Sequence, residues 1–289
     1  MSILNQLHYQ ILGESLGSRP PLVFLHGLMG YGLNWKRIAN AFQSSGQVLI
    51  FDQRGHGKSY HPETGYSPED YADDLALLID ALGWETIDLV GHSMGGRNAL
   101  NFAFRFPQRV RRFVMVDMGP EVAPGSSERI QALIDLVPVP FQNKLLAKEF
   151  FMNEFPKLIP QNPQSQTLGQ YFYANMAEDE KGLVSWRFSL KAITESLKGG
   201  RSKNYWSEWE ALTMPTLVIR GEKSEDLTSE IYLEMLKRNP LSRGVEVKGA
   251  GHWVHFDRPE KFTQILKRFL NFDESEILRQ DFDFQESSD

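Results

Sequence analysis

The chain has 289 residues, of which 41% are hydrophobic and 24% are charged, a composition typical of a soluble globular protein with one large domain or a domain carrying an insertion. It contains no cysteine, which excludes disulfides, cysteine metal sites and a thiol nucleophile. Because the start of the chain lacks a basic, apolar leader and no apolar run approaches the roughly 18 residues of a membrane span, we expect a cytoplasmic protein.

The net charge of −6 comes from one end of the chain. Residues 273–289 contain seven acidic residues and one arginine, so the remainder is formally neutral. A neutral body has neither the basic footprint of a nucleic-acid-binding protein nor a polybasic membrane patch. We therefore expect no nucleic-acid partner, and we expect 273–289 to form an acidic, solvated tail.

The first 60 residues alternate between predicted strands and loops. Alternating apolar residues within 6–15 predict an opening strand, and the continuous apolar runs Leu22–Leu25 and Val48–Phe51 predict strands buried on both faces. The run at 22–25 leads through a loop containing His26, Gly27 and Leu28 to a predicted helix over 35–42. The run at 48–51 closes in a polar, glycine-rich loop over 52–59.

A nucleophile elbow is the strongest motif of the chain. Residues 67–82 predict a helix with a serine cap, and the apolar residues of 87–90 predict a strand. Gly91-His-Ser93-Met-Gly95 then fits Gly-x-Ser-x-Gly, and 97–106 predict a helix. In this strand–turn–helix context the turn presents the Ser93 hydroxyl at the sheet edge, with the Met94 N–H beside it at a helix N-terminus.

The regular alternation continues, breaks and then resumes. A strand is predicted over 113–116, but 121–205 contains only helix-like pieces (127–137, 141–155 and 168–178) separated by prolines, with one strand-like stretch at 183–188. Strand, helix, strand and helix follow at 216–219, 228–238, 245–247 and 259–272. This pattern predicts an α/β fold whose mostly parallel central sheet is covered by helices on both faces. We expect 1–120 and 206–272 to form its core and 121–205 a mostly helical cap inserted after the strand that ends at Asp117.

A serine nucleophile needs a base, and the base needs an orienting acid. His252 is the predicted base, because it lies between the last predicted strand and the last helix, at the sheet edge where Ser93 is expected. The acid has two candidates. Asp117 ends the strand after the elbow, whereas Asp226 lies in the turn after 216–219, displaced by two from a Gly-x-x-Asp pattern that here has Ser224 at its fourth place. Asp117 is favoured and Asp226 is the alternative.

The oxyanion formed during acyl transfer needs two hydrogen-bond donors. The backbone N–H of Met94 is predicted as one donor and that of Leu28, after the His26-Gly27 turn, as the other. Asp52 and Arg54 are expected to stabilise loops. The aromatic residues of the cap are expected to roof an apolar pocket or to form the cap's own core: Phe150, Phe151, Phe155, Tyr171, Phe172, Tyr173 and Trp186.

Four motifs together resemble the α/β-hydrolase superfamily over nearly the whole chain: Phe24-Leu-His-Gly-Leu-Met-Gly30, Asp52-Gln-Arg-Gly-His-Gly-Lys-Ser59, Gly91-His-Ser-Met-Gly-Gly-Arg97 and Gly249-Ala-Gly-His-Trp-Val-His255. Within it, Val116-Asp-Met-Gly-Pro120, the cap stretch 184–190 and His-Trp-Val-His resemble the YbfF-type esterases and thioesterases, although Gly119 stands where serine or alanine is commoner. The resemblance to this group implies Asp117 as the acid and short-to-medium acyl esters or acyl-CoA thioesters as substrates.

The sequence thus predicts a serine hydrolase that works through an acyl-enzyme, with neither metal nor organic cofactor. Three alternatives remain open. The same triad serves carbon–carbon lyases and hydrolases, including the menaquinone-pathway lyase with a similar Ser-Met-Gly-Gly-Arg segment. It also supports cofactor-free haloperoxidase activity. Finally, non-catalytic small-molecule receptors can retain all three residues.

Overall fold

The computed structural model describes residues 2–17, 19–162, 164–199 and 203–271, so the predicted tail 273–289 lies outside the described residues. Within those ranges there are nine strands: β1 Tyr9–Leu12, β2 Leu22–Leu25, β3 Val48–Phe51, β4 Ile87–His92, β5 Val110–Val116, β6 Met176–Glu178, β7 Val184–Trp186, β8 Thr216–Gly221 and β9 Ser242–Val247.

The described chain also contains twelve α-helices: α1 Lys36–Asn40, α2 Pro68–Ala81, α3 Met94–Arg105, α4 Ser126–Asp135, α5 Lys144–Glu149, α6 Phe155–Leu158, α7 Ser165–Ala174, α8 Leu190–Gly199, α9 Trp206–Glu210, α10 Ser229–Arg238, α11 Val254–Asp257 and α12 Pro259–Asn271. A π-helical segment, Phe150–Glu154, joins α5 to α6. Short 3₁₀ turns lie at Ile3–Asn5, Gly32–Trp35, Gln43–Ser45 and Pro107–Arg109. No described helix is both long and apolar enough to cross a membrane.

Seven strands of the described chain form one sheet in the order β1-β3-β2-β4-β5-β8-β9. β1 pairs antiparallel with β3, and the other neighbouring pairs in this sheet are parallel. The strands β2, β3, β4 and β8 are buried at every position, because helices cover both faces of the sheet. The predicted fold class is therefore confirmed.

Two apolar clusters fill the two sides of the sheet. On one side α2, α3, α9 and α10 contribute fully buried residues such as Phe102 and Trp209. On the other side Trp35, directly before α1, packs against the strands together with Phe262 and Phe269 of α12. The spacing of apolar residues along α2 and α12 places one face of each helix on the sheet, as their patterns predict.

The inserted region 121–205 differs from its predicted structure at several points. The predicted helix over 168–178 ends at Ala174, because Met176–Glu178 pairs antiparallel with β7. The predicted helix over 141–155 begins only at Lys144, where the Asn143 side chain caps it, and changes to a π-helix at Phe150. The helix α8 was not predicted. Outside 121–205 the short helices α9 and α11 were not predicted. The other differences there are at element ends: the helix after the elbow begins at Met94 and the opening strand shortens to β1.

Candidate active site

Ser93 lies between β4 and α3 in a backbone conformation that L-residues rarely adopt. Its φ is 54° and its ψ is −123°, and its N–H donates to the carbonyl oxygen of Val116 at 3.0 Å. A Cβ on Gly91 would lie 2.3 Å from the oxygen of Gly95, and one on Gly95 would lie 2.6 Å from the oxygen of Leu25. These close approaches require glycine on both sides of Ser93, because any side chain would force strand and helix apart.

His252 lies on the loop between β9 and α11, beside Ser93. Its Nε2 lies 2.9 Å from the Oγ of Ser93, and its Nδ1 lies 2.8 Å from Oδ2 of Asp117. A ring that donates its Nδ1 proton to the carboxylate leaves Nε2 as an acceptor for the serine proton. The hydroxyl, the imidazole and the carboxyl group therefore form one hydrogen-bonded row at the carboxyl edge of the sheet.

Asp117 follows β5 directly and also has a positive φ, of 50°. Its side chain is completely buried, and it accepts hydrogen bonds from the Gly221 N–H at 2.7 Å, from the Ser224 hydroxyl and from His252. Burial raises the pKa of Asp117, and the hydrogen bonds from His252, Ser224 and Gly221 oppose that rise. The serine at the fourth place of Gly221-Glu-Lys-Ser224 thus supports the carboxyl group instead of replacing it.

Asp226 also faces the imidazole. One of its carboxylate oxygens, Oδ2, lies 3.5 Å from Nδ1 of His252, and its side chain is 21% exposed. The other oxygen, Oδ1, accepts from the Ser126 hydroxyl at 2.5 Å and lies 3.4 Å from the guanidinium of Arg129. The shorter contact and fuller burial make Asp117 the better placed of the two acids.

Two further histidines pack beside His252. His92 donates from Nε2 to the His252 carbonyl oxygen at 2.8 Å and so fixes the backbone that carries the His252 ring. Burial lowers the pKa of His92 well below its usual value, and the neighbouring His255 and His252 lower it further. Burial lowers the pKa of His255 to about 3, and its ring stacks on Trp35 at 4.1 Å. Sequence reasoning missed the anchoring contact of His92, although its place in the elbow pointed to this part of the fold.

The predicted oxyanion donors are the backbone N–H groups of Leu28 and Met94. Neither N–H donates to an acceptor among the described residues. Leu28 lies on the wall of the same cavity as Ser93, and Met94 directly follows Ser93. His56 donates from Nε2 to the carbonyl oxygen of Leu28 at 2.5 Å, and His26 donates from Nδ1 to the carbonyl oxygen of Gly27 at 2.9 Å. These two buried rings hold the turn in which the Leu28 amide is presented.

Asp52 and Arg54, predicted to stabilise loops, lie outside the cavity beside Ser93. Asp52 accepts from the Gly32 N–H at 2.8 Å and the Lys58 N–H at 2.9 Å. Arg54 donates to both oxygens of Asp74, at 2.7 and 2.6 Å. Both side chains therefore tie loops of the core together.

A cavity of about 490 Å³ opens beside Ser93 and His252, within the usual size range of small-molecule sites. Its apolar wall comes from aliphatic residues of the inserted region: Ile130, Leu133, Leu136, Leu158, Ile159 and Leu168. Of the seven cap aromatics singled out in the sequence, Tyr171 lines this cavity, whereas the other six pack against one another in the core of the inserted region. No group of three or more His, Cys, Asp or Glu side chains within the described ranges could hold a metal ion.

The chain is similar to known proteins in both sequence and structure. A family model described as "alpha/beta hydrolase fold" matches residues 20–259. The "sn-1-specific diacylglycerol lipase ABHD11" of Mus musculus is 31% identical over 275 residues, which cover 91% of this chain and 85% of the relative. A "Putative esterase/lipase" of Haemophilus influenzae is 29% identical and covers 93% of this chain and 89% of the relative. The crystal structure of an "E-2-(Acetamidomethylene)succinate Hydrolase" superimposes with a TM-score of 0.81 at 25% identity, covering 94% of this chain and 98% of that one.

Proposed function

The chain belongs to the α/β-hydrolase family and is an enzyme of the serine hydrolase type, and from that premise we propose that it cleaves carboxylic esters or acyl thioesters through a Ser93–His252–Asp117 triad. One observation carries the proposal. The hydroxyl, imidazole and carboxyl groups lie in hydrogen-bonding contact, at 2.9 and 2.8 Å, beside a cavity of about 490 Å³.

The proposed reaction is acyl transfer to water in two halves. Ser93 attacks the carbonyl carbon while His252 Nε2 takes the hydroxyl proton, and Asp117 holds the ring in the tautomer that leaves Nε2 unprotonated. The tetrahedral intermediate then collapses, and His252 gives the proton to the leaving alcohol or thiol. In the second half His252 activates a water molecule that hydrolyses the acyl-enzyme on Ser93.

Two features support stabilisation of the oxyanion between Leu28 and Met94. The Met94 N–H lies in the first turn of α3, so the helix dipole adds a positive partial charge at this place. Neither amide is used by another group of the described chain, which leaves both available to a developing negative oxygen. Each donor of this kind contributes about 3 kcal/mol to the lowering of the barrier.

The shape of the cavity supports an acyl substrate of short to medium length. Its aliphatic wall suits a hydrocarbon chain, because burial of each methylene contributes about 0.8 kcal/mol. The polar side chains of Gln161, Asn162 and Lys223 also border the cavity and suit a polar leaving group. We therefore infer that simple acyl esters are substrates, and that acyl-CoA thioesters are the next class to assay.

The test is a matrix of p-nitrophenyl esters and acyl-CoAs of graded chain length, assayed with the wild type and with Ser93→Ala. We expect kcat on the best ester to fall by about 10⁵-fold or more in Ser93→Ala, since the nucleophile itself is lost. Hydrolysis that persists unchanged in Ser93→Ala would disprove the assignment. Turnover of no acyl substrate, together with tight binding of a small molecule, would instead indicate a receptor.

A further inference from the structure

The ring of His252 faces two carboxyl groups on its Nδ1 side. Asp117 lies at 2.8 Å and Asp226 at 3.5 Å from the same nitrogen. The two acids come from different parts of the fold, since Asp117 ends a strand of the central sheet and Asp226 lies on the loop between β8 and α10. A triad of the usual form explains only the first of these contacts.

Asp226 is held from the inserted region as well as from its own loop. Its Oδ1 accepts from the hydroxyl of Ser126, the first residue of α4, at 2.5 Å, and Arg129 of the same helix approaches that oxygen at 3.4 Å. Its own N–H donates to the hydroxyl of Ser224, which in turn donates to Asp117. The carboxylate of Asp226 thus spans from the helix that lines the substrate cavity to the ring of the base.

We propose that Asp226 is a second positioning carboxylate for His252, held in place by Ser126 and Arg129 of α4, so that the helix lining the cavity also supports the base. The expected effect on catalysis rests on the proposed function. The expected effect of Asp226 on the His252 ring does not depend on it. A carboxylate at this distance stabilises the imidazolium that forms when Ser93 loses its proton. The contact also restrains the ring from rotating away from Asp117.

The charged and titratable groups around these two side chains set the sign of the effect. His252 faces Asp117, Asp226 and the rings of His92 and His255, and Asp257 on α11 interacts with it at longer range. Burial holds the pKa of both neighbouring histidines below the usual value, so neither ring brings a positive charge at neutral pH. Asp226 itself faces Arg129, which also pairs with the exposed Glu225 at 3.6 Å. Removal of the Asp226 charge therefore leaves the imidazolium with less negative charge beside it, and its pKa should fall.

The decisive variant is Asp226→Asn, which keeps the size of the side chain and removes its charge. Removing one carboxylate at this distance should lower the pKa of the His252 ring by about one unit, which corresponds to a roughly tenfold loss of kcat/KM on an acyl ester. The acidic limb of the pH profile of kcat/KM should move to lower pH by the same amount. Asp226→Glu should recover part of the rate, because it restores the charge.

The matched control is Glu230→Gln, which removes the same charge from an exposed side chain of α10 that lies outside the cavity. Its profile should superimpose on that of the wild type. Ser126→Ala should shift the acidic limb in the direction of Asp226→Asn but by less, and the double variant should resemble Asp226→Asn alone, because both changes act through one carboxylate.

The ring of His252 is also titrated directly by NMR in the wild type, Asp226→Asn and Glu230→Gln, a measurement that needs no turnover. A downward shift confined to Asp226→Asn supports the proposal. Identical titrations and identical pH profiles in all three proteins would overturn it, even if Ser93→Ala is inactive as the proposed function requires. Hydrolysis that survives Ser93→Ala would overturn the proposed function alone, and the NMR titration would still decide the role of Asp226.

Discussion

The carboxyl edge of the central sheet and the inserted region 121–205 both contribute to one site, but they hold their residues by different means. At the sheet edge, backbone hydrogen bonds set the positions. The Ser93 N–H donates to Val116 at 3.0 Å and the Asp117 N–H donates to Ile219 at 2.8 Å, so each residue continues a ladder between parallel strands. In the inserted region, by contrast, short helices, a π-helical segment and a two-stranded sheet are held mainly by packing of aromatic and aliphatic side chains.

This difference suggests that the sheet edge determines the reaction and the inserted region determines which substrates are accepted. A ladder fixes the distance between residues on neighbouring strands whatever their side chains are, so Ser93 and Asp117 are placed by topology. The cavity wall depends on how the side chains of α4 and its neighbours fill space, and such packing tolerates changes of volume that keep the total similar. Changes at the sheet edge should therefore affect every substrate alike, whereas changes in the inserted region should affect substrates differently.

The largest effect expected in testing this comparison is that of Asp117→Asn. The amide keeps the volume of the side chain but stabilises the wrong tautomer of His252, so kcat should fall by about 10³- to 10⁴-fold on all esters. Steady-state rates on short and long esters measure it, with Asp226→Asn expected to lose only about tenfold for the loss of one nearby charge. An intact rate in Asp117→Asn together with a collapse in Asp226→Asn would reverse the roles of the two acids.

The second prediction concerns the cavity wall of the inserted region. Leu133→Trp adds bulk to the aliphatic wall, so we expect the ratio of octanoate to acetate ester kcat/KM to fall by about 100-fold, at the upper end of what pocket size discriminates. Leu145→Trp is the control, because Leu145 is 64% exposed and lies outside the cavity. If the ratio of octanoate to acetate ester kcat/KM changes equally in both variants, or in neither, this wall does not determine the chain-length preference.

The sheet edge should also determine how stability depends on pH, because the residues of 121–205 include no histidine. Burial lowers the pKa of His26, His56, His92 and His255 below their usual value, so these rings bind protons more weakly in the folded protein than in the unfolded chain. The free energy of unfolding should consequently decrease as pH falls below about 6.5, by about 1.4 kcal/mol per pH unit for each ring that stays neutral.

His255→Phe tests this dependence for one ring, since the pKa of His255 is lowered to about 3. The free energy of unfolding, measured with urea between pH 4 and pH 7, should depend on pH with a slope smaller by about one proton than that of the wild type. His61→Phe is the matched control, because it removes an imidazole that is exposed to solvent. If the two variants have the same slope, the buried ring is not the source of the acid sensitivity.

The sequence predicted the fold class because strand and helix periods are strong in the core. The runs at 22–25 and 48–51 correspond to β2 and β3 at the predicted bounds, since strands buried on both faces are continuously apolar. The inserted region was predicted less well. The apolar pattern of 168–178 does not show where the helix ends. It ends at Ala174 because 176–178 pairs with β7, a contact between separate parts of the chain.

The site shows the same division. The positions of Ser93, His252 and Asp117 at one edge follow from the ends of strands, and their roles remain predictions for the variants above. The aliphatic cavity wall and the contact between Ser126 and Asp226 could not be foreseen, since they depend on how α4 packs above the sheet. The aromatic residues of this region were expected to roof a pocket or to form the region's own core. Tyr171 lines the cavity, whereas the other six rings pack into the core of the region.

The smallest effect concerns the strain that the sheet edge stores at the elbow. At φ 54° and ψ −123°, a side chain at position 93 clashes with its own backbone, whereas glycine adopts this conformation freely.

Ser93→Ala and Ser93→Gly both lose the hydroxyl and its contact with His252, so the difference in stability between them reports on the strain. We expect Ser93→Gly to be more stable than Ser93→Ala by about 1 kcal/mol in urea unfolding, although glycine also has more freedom to lose on folding. Equal midpoints for the two variants would mean that the strain only offsets the extra backbone entropy that glycine loses on folding. The opposite order would mean that the strain at position 93 is smaller than this entropy.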